Sequence, residues 1–284
     1  MALSNIQAVR LFQPKGFYKT VPADKVESVC NAYKNGMTAG EVAKQYNCSK
    51  DTVLRLLKIE GVEVRSKSEG RLNRNGHTIN LDCFSDTDEE GCGYFFGWLL
   101  TDGCITDNDF VSLHVNTKDI EVLENLKSYM GSSNKVHSRS ELDNRTGNTY
   151  FTSSFVFSVD RIVNRLKSYG LVPRKSLKEV VPEVFKYNRH FWRGAVEGDG
   201  SIGIGYNHSV KIVGSKELCE SFIDFCSKIV PEIKTKISKD SEMFVGTVRG
   251  KEAVGKLLDY IYSDCQYKLS REYNTYMEKY HGNL

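Results

Sequence analysis

At 284 residues the chain has room for about two domains of roughly 150 residues each. With 40% hydrophobic and 26% charged residues it has the composition of a folded, water-soluble protein with sizeable cores, which excludes a disordered chain. The formal charge of +3 permits nucleic acid as a partner without demanding it, so the placement of the charges has to decide.

The 8 cysteines contain no C-x-x-C pair and no C-x-x-C…H-x-x-x-H pattern, so a structural zinc site is not expected. The opening MALSNIQAVRLFQPKG lacks the apolar stretch of a signal peptide, and no apolar run approaches membrane-spanning length. The expectation is therefore reduced thiols, a cytoplasmic location and no membrane partner.

Residues 1–20 are an uninformative lead, and residues 21–64 read as short helices. Within them MTAGEVAKQYNCSKDTVLRLLKIEGV resembles a helix-turn-helix. Thr38 with Glu41 forms a capping-box pattern for a helix through Tyr46, Asn47-Cys48 makes the turn, and Ser49 caps a second helix to about Ile59. Val42 and Ala43 would pack on Val53, Leu56 and Leu57, leaving Ser49, Lys50, Thr52, Arg55 and Lys58 for phosphates and bases, as on a recognition helix. The alternative is a small helical domain that binds protein. Residues 65–80 form a polar linker in which Arg65, Lys67, Arg71 and Arg74 stand against Glu69, the composition of an arm that tracks DNA.

Residues 81–180 and 181–284 read as two copies of one pattern. Each begins with an apolar helix ending in Asp-Gly, then two strand-like runs, an amphipathic helix, a polar run, a β-rich run and another helix. Ile120, Leu123 and Leu126 mark the first amphipathic helix, and Leu218, Phe222 and Phe225 the second. The spacing is too long for a solenoid repeat and suits a duplicated domain.

The helix ends are FFGWLLTDG (95–103) and WRGAVEGDG (192–200). A lone Asp-Gly is an ordinary tight turn, but two behind matching helices are a pattern. Gly97 with Thr101, and Gly194 with Gly198, put small residues four apart on one face, which lets two helices pack closely. Packed side by side, they bring Asp102 and Asp199 together at their C-terminal ends. There the carboxylates repel each other and the helix dipoles add negative potential. Hard divalent cations relieve that repulsion and serve phosphodiester hydrolysis.

These stretches resemble the LAGLIDADG signature of homing endonucleases, and the resemblance covers about residues 81–284. It implies an α+β fold with a duplicated αββαββα core and pseudo-twofold symmetry, beside a small all-α helix-turn-helix domain. It implies that Asp102 and Asp199 hold Mg²⁺, with the carbonyls of Thr101 and Gly198 also facing the metal. A basic residue lines each active site in the family, and Lys175 in LVPRKSL and Lys268 in CQYKLSR occupy corresponding places. Departures are Leu100 and Glu197 at the sixth signature position, usually aspartate but not a ligand, and the bulky Trp98 and Arg193 within the helices. Thr87 with Glu90 suggests a capping box for the first signature helix.

Strand alternation turns Val111, Leu113 and Val115 inward and leaves Ser112, His114 and Asn116 outward. Lys135, His137 and Arg139 form a second row, while Ser209 with Lys211 and Lys234 with Lys236 do likewise in the second copy. Such rows suit base edges and phosphates, and they equally suit an ordinary solvated sheet face. The leading expectation is a monomeric, Mg²⁺-dependent endonuclease that cuts a long double-stranded DNA site across the minor groove. The alternative is a non-cleaving binder on the same fold, an intron-RNA maturase or a transcription regulator. A third possibility is an unrelated core in which the Asp-Gly pairs are turns.

Overall fold

The computed structural model describes residues 21–66, 69, 77–142, 145, 147–203 and 208–282. The chain divides into two compact units, residues 1–77 and residues 78–284. Among the described residues no helix is long and apolar enough to cross a membrane.

The first unit holds helices α1 (Val26–Lys34), α2 (Ala39–Gln45) and α3 (Lys50–Ile59). The capping box before α2 is formed: the Glu41 amide donates to Thr38 Oγ1 at 3.2 Å, and the Thr38 amide to Glu41 Oε2 at 2.7 Å. The turn between α2 and α3 passes through Asn47 at φ +51°, a left-handed position that asparagine tolerates. Ser49 then caps α3 by accepting the Thr52 amide at 3.1 Å. Val42, Ala43, Val53 and Leu57 close a small core with Val29, Cys30 and Tyr33 from α1. Leu56 packs against its edge.

The second unit repeats one sequence of elements. The first copy runs α4 (Glu90–Thr101), β1 (Gly103–Ile105), β2 (Val111–Asn116), α5 (Glu121–Tyr129), β3 (His137–Leu142), β4 (Thr149–Phe157) and α6 (Asp160–Ser168). The second runs α7 (Arg189–Asp199), β5 (Gly200–Gly203), β6 (Ser209–Gly214), α8 (Lys216–Ile229), β7 (Lys234–Asp240), β8 (Met243–Arg249) and α9 (Lys251–Tyr262), and α10 (Ser270–Tyr280) follows. Each copy forms one antiparallel four-stranded sheet, in the orders β1-β2-β4-β3 and β5-β6-β8-β7. The fold is the duplicated αββαββα arrangement expected from the sequence.

Alternation explains which face of each sheet is covered. Val111, Leu113 and Val115 on β2 are buried, as are Phe155 and Phe157 on β4. Helix α5 supplies Val122, Leu123 and Leu126 to the first repeat's core, and α8 supplies Leu218, Phe222 and Phe225 to the second. Helix α4 is apolar nearly all round, and it is buried on every side from Gly91 to Thr101.

The suggested capping box at α4 does not form. Its N-cap is Glu89, which makes no side-chain cap bond. Glu90 is drawn elsewhere, into a 2.6 Å ion pair with Arg193 and into bonds with the Gln266 and Tyr267 amides. A charged, buried partner outcompetes a local cap. Helix α10 is an element the sequence did not disclose, and its Tyr276 ring stacks on Tyr262 of α9 at 5.2 Å.

Candidate active site

Helices α4 and α7 run side by side in the same direction with their backbones in contact. A Cβ on Gly97 would collide with the carbonyl of Phe191 and sit 2.8 Å from the Ala195 amide. A Cβ on Gly194 would collide with the carbonyl of Tyr94. At the C-terminal ends, a Cβ on Gly198 would collide with Thr101 Oγ1 and lie 2.9 Å from Asp102 Oδ2. Thr101 turns its hydroxyl back onto the Gly97 carbonyl at 3.1 Å, and there it lies in the seam against Gly198. Small residues at these positions are what allow Asp102, which caps α4, to meet the end of α7 at Asp199.

The two carboxyls feel one another. Burial and then the charge of Asp199 push Asp102 up to about 7, against the pull of Lys175. Asp199 keeps a solvent-exposed edge, yet its carboxyl is also raised, by burial first, with Lys175 opposing and Glu179 adding to the rise.

Lys175 is the cation at this junction. It is buried, and its Nζ donates to the Thr101 carbonyl at 2.5 Å. Burial pushes its ammonium below the usual lysine value, and Glu179, Asp199 and Asp102 oppose that fall. Lys268 is placed differently. Its Nζ lies 4.4 Å from the centre of the Tyr273 ring and 3.3 Å from the Cys265 carbonyl. It does not figure among the charges that move either aspartate.

Among the described residues no group of three or more His, Cys, Asp and Glu side chains converges as a metal cage. The oxygen donors at the junction are the two carboxylates and the carbonyls of Thr101 and Gly198 at the helix ends. Hard oxygens around a carboxyl pair that resists double ionisation fit Mg²⁺, which prefers few protein ligands and keeps its waters.

Two of the departures from the signature, Arg193 and Glu197, tie the helices to the segment that follows α9. Arg193 is fully buried and donates to the carbonyls of Tyr267 at 2.8 Å and Ile261 at 2.6 Å, besides pairing with Glu90. Glu197 accepts from Tyr94 at 2.6 Å, Tyr262 at 2.9 Å and the Leu269 amide at 2.9 Å, and burial still pushes it up to about 7. Together these residues pin the segment around Lys268 to the signature helices.

Strand register places the outward residues. On the first sheet Ser112, His114, His137 and Arg139 share a face with Thr152 and Ser154. His114 bonds Ser112 at 3.1 Å, and Arg139 reaches Thr152 at 3.3 Å. Lys135 is exposed and lies just before β3. On the second sheet Lys211, Lys234 and Lys236 are exposed on one face, which Arg249 joins through its pairing with Lys234. Arg249 was missed, although the alternation of β8 carries it. Ser209 shares that face but is buried, a short side chain on an inner strand between β5 and β8. Exposed Tyr150, opposite Glu141, was also missed.

In the first unit Lys50, Arg55 and Lys58 are exposed on α3. Ser49 and Thr52 are joined by the cap, their hydroxyls 2.8 Å apart. Arg65 has an internal role that the sequence did not disclose. It donates to the carbonyls of Gly36 at 3.0 Å and Tyr33 at 2.8 Å, and also to that of Met37, with its guanidinium 4.1 Å from the centre of the Tyr33 ring. Lys67, Arg71 and Arg74 lie outside the described residues.

Comparison with solved structures gives the fold a context. The homing endonuclease I-WcaI bound to its DNA recognition sequence matches with a TM-score of 0.52 at 13% identity, over 71% of this chain and 89% of that one. The I-SmaMI LAGLIDADG homing endonuclease bound to cleaved DNA matches at 0.47 and 15% identity, over 67% and 87%. The N-terminal LAGLIDADG domain of DUF199/WhiA matches at 0.44 and 16% identity, over 68% and 89%. No protein-family model and no curated protein sequence matches the chain. The architecture is α+β, with two four-stranded antiparallel sheets consistent with a duplicated LAGLIDADG core and with helices preceding it.

Proposed function

We propose that this chain is a site-specific, Mg²⁺-dependent endonuclease that cuts both strands of a long double-stranded DNA site. The observation that carries the reading is the meeting of Asp102 and Asp199 at the ends of two helices in backbone contact, with the Lys175 ammonium beside them. The chemistry that Mg²⁺ would supply at this junction is activation of a water and charge relief for the leaving oxygen. Asp102 and Asp199 would hold the metal, with the Gly198 carbonyl and the Thr101 carbonyl, the latter shared with Lys175, as further oxygen donors. Lys175 faces developing negative charge on phosphate. The outward rows of the two sheets are the DNA-facing surface, with Lys211, Lys234, Lys236 and Arg249 for phosphates and Ser112, His114, His137 and Arg139 for phosphates and base edges. The exposed residues of α3, Lys50, Arg55 and Lys58, extend the recognised sequence as a helix-turn-helix reader. The chain acts as a monomer, since both acids lie in one polypeptide.

One observation favours a second reading, a non-cleaving nucleic-acid binder. Lys175 Nζ donates to the Thr101 carbonyl, and its charge offsets part of the aspartates' mutual repulsion. Selection of cleaved sites from a randomised DNA library in Mg²⁺, with Asp102→Asn and Asp199→Asn as controls, tests the first reading. Recovery of sites that are bound but never cut, or of RNA ligands alone in a parallel selection, moves the assignment to the second.

A further inference from the structure

Lys175 is not carried by a helix or a strand. It sits in a turn closed by the Lys178 amide on the Lys175 carbonyl at 2.7 Å. Arg174 before it and Leu177 after it adopt left-handed conformations, at φ +56° and φ +63°, without being glycine. Such backbone persists only where its surroundings over-determine it.

Glu179 is the surrounding group that does so. Its side chain is only 6% exposed. Oε1 accepts the Leu177 amide at 2.9 Å, and Oε2 accepts the Ser215 amide at 3.0 Å. The Glu179 carbonyl accepts the Ser215 hydroxyl at 2.5 Å. Ser215 in turn caps α8 of the second repeat through the Leu218 amide. One buried carboxylate thus ties the lysine turn, which follows the first repeat, to the central strand and helix of the second. It is also the anion that most favours the Lys175 charge.

We propose that Glu179 is a positioning residue that fixes the Lys175 turn to the second repeat and so holds the ammonium on the Thr101 carbonyl beside the aspartates. Its consequence for cutting rests on the nuclease reading; its effect on where Lys175 sits does not. A glutamine cannot replace it, because both oxygens accept main-chain N–H groups and an amide nitrogen would meet one of them as a second donor.

The test therefore has two arms. In the first, surface lysines are labelled with an amine-reactive reagent and the sites quantified by mass spectrometry. Lys175 is expected to be protected in the parent, and Glu179→Gln to raise its labelling rate roughly tenfold with Lys178 and Lys268 unchanged, since only the buried amine changes surroundings. Equal labelling of Lys175 in both proteins overturns the proposal whether or not the protein cuts DNA.

The second arm is a double-mutant cycle on single-turnover cleavage, with DNA affinity measured in parallel. Glu179→Gln is expected to slow cleavage at least tenfold at unchanged affinity, and Lys175→Met/Glu179→Gln to be no slower than Lys175→Met alone. Glu179→Asp, which keeps both acceptors, is expected to recover part of the rate. Additive losses would mean that Glu179 acts independently of Lys175, against the proposal. Should Glu179→Gln not fold, Glu179→Asp carries the labelling arm with a smaller rise. Absence of cleavage by the parent sinks the nuclease reading and leaves the labelling result to decide the position of Lys175.

Discussion

The ammonium of Lys175 rests on the carbonyl of Thr101, the residue before Asp102, at 2.5 Å. Its counterpart by sequence, Lys268, is held against Tyr273. The duplication is therefore symmetric in backbone and asymmetric in cations. Lys175→Met is expected to lower the cleavage rate by roughly 10²–10³, the scale of losing one preorganised charge at a developing anion. Lys268→Met is expected to cost only a fewfold. Strand-resolved single-turnover cleavage of a plasmid carrying the selected site checks this, and equal losses for the two variants would contradict the asymmetry.

The aspartate pair also sets a pH dependence. Asp102 is pushed up to about 7 in the folded protein, whereas an unfolded aspartate titrates near its ordinary value of about 3.9. Between those values the folded state holds a proton that the unfolded state has released. Stability is therefore full at the acid end, falls as pH rises toward 7, and levels off above it. Glu197, also pushed up to about 7, adds to the same slope. Urea unfolding without divalent cations at pH 5 and pH 8 is expected to show the loss. Asp102→Asn should remove its own share of the slope and leave that of Glu197, while abolishing cleavage, and Mg²⁺ should offset the Asp102 share at pH 8. A parent protein equally stable at both values would rule out the coupled pair.

Backbone contact between α4 and α7 makes a steric prediction. A methyl group on Gly194 runs into the main-chain carbonyl of Tyr94, which has no rotamer by which to retreat. Gly194→Ala is expected to destabilise by about 1–3 kcal/mol through overpacking. At roughly 2–4 °C per kcal/mol, calorimetry resolves that shift. Gly40 in α2 is the contrast, because the nearest atom to its Cβ is Thr38 Oγ1 at 3.9 Å. Gly40→Ala is expected to gain about 0.5–1 kcal/mol from helix propensity alone. A neutral Gly194→Ala would mean that the helices sit further apart than the structure places them.

The features legible in the sequence are those written in local periodicity. The Thr38 and Glu41 capping box, the alternation of Val111, Leu113 and Val115, and the small residues at Gly97 and Gly194 each follow from spacing along one element. What escaped was set by partners distant in the chain. Glu90 reads as a cap residue from its neighbours, yet it bonds Arg193, more than a hundred positions away. Arg65 reads as one more charge in a basic arm, yet its donors face the carbonyls at the end of α1. Glu179 bonds the nearby Leu177 amide, but the partner that gives it its role, Ser215, belongs to the other repeat. Lys175 and Lys268 look alike in sequence, and the aromatic ring that separates them, Tyr273, is contributed by a helix with no place in the repeat pattern.

The second sheet offers the most direct test of the DNA-facing surface. Lys211, Lys234, Lys236 and Arg249 share one outward face, with Lys211 opposite Thr247 and Lys234 opposite Arg249 in the ladder. Four cations over one sheet face exceed what the chain's net charge suggests, and no ion pair is recorded for any of them among the described residues. If they contact phosphates, each alanine substitution should lower the slope of log affinity against log salt by about 0.9 and weaken binding to all sequences alike. Arg139→Ala on the first sheet is expected instead to relax preference at particular positions, because an exposed guanidinium reads guanine as well as phosphate. Fluorescence anisotropy across a salt series on the selected site, together with single-base variants of it, separates the two behaviours. A salt slope untouched by the lysine and arginine substitutions of the second sheet would place the bound duplex elsewhere on the protein.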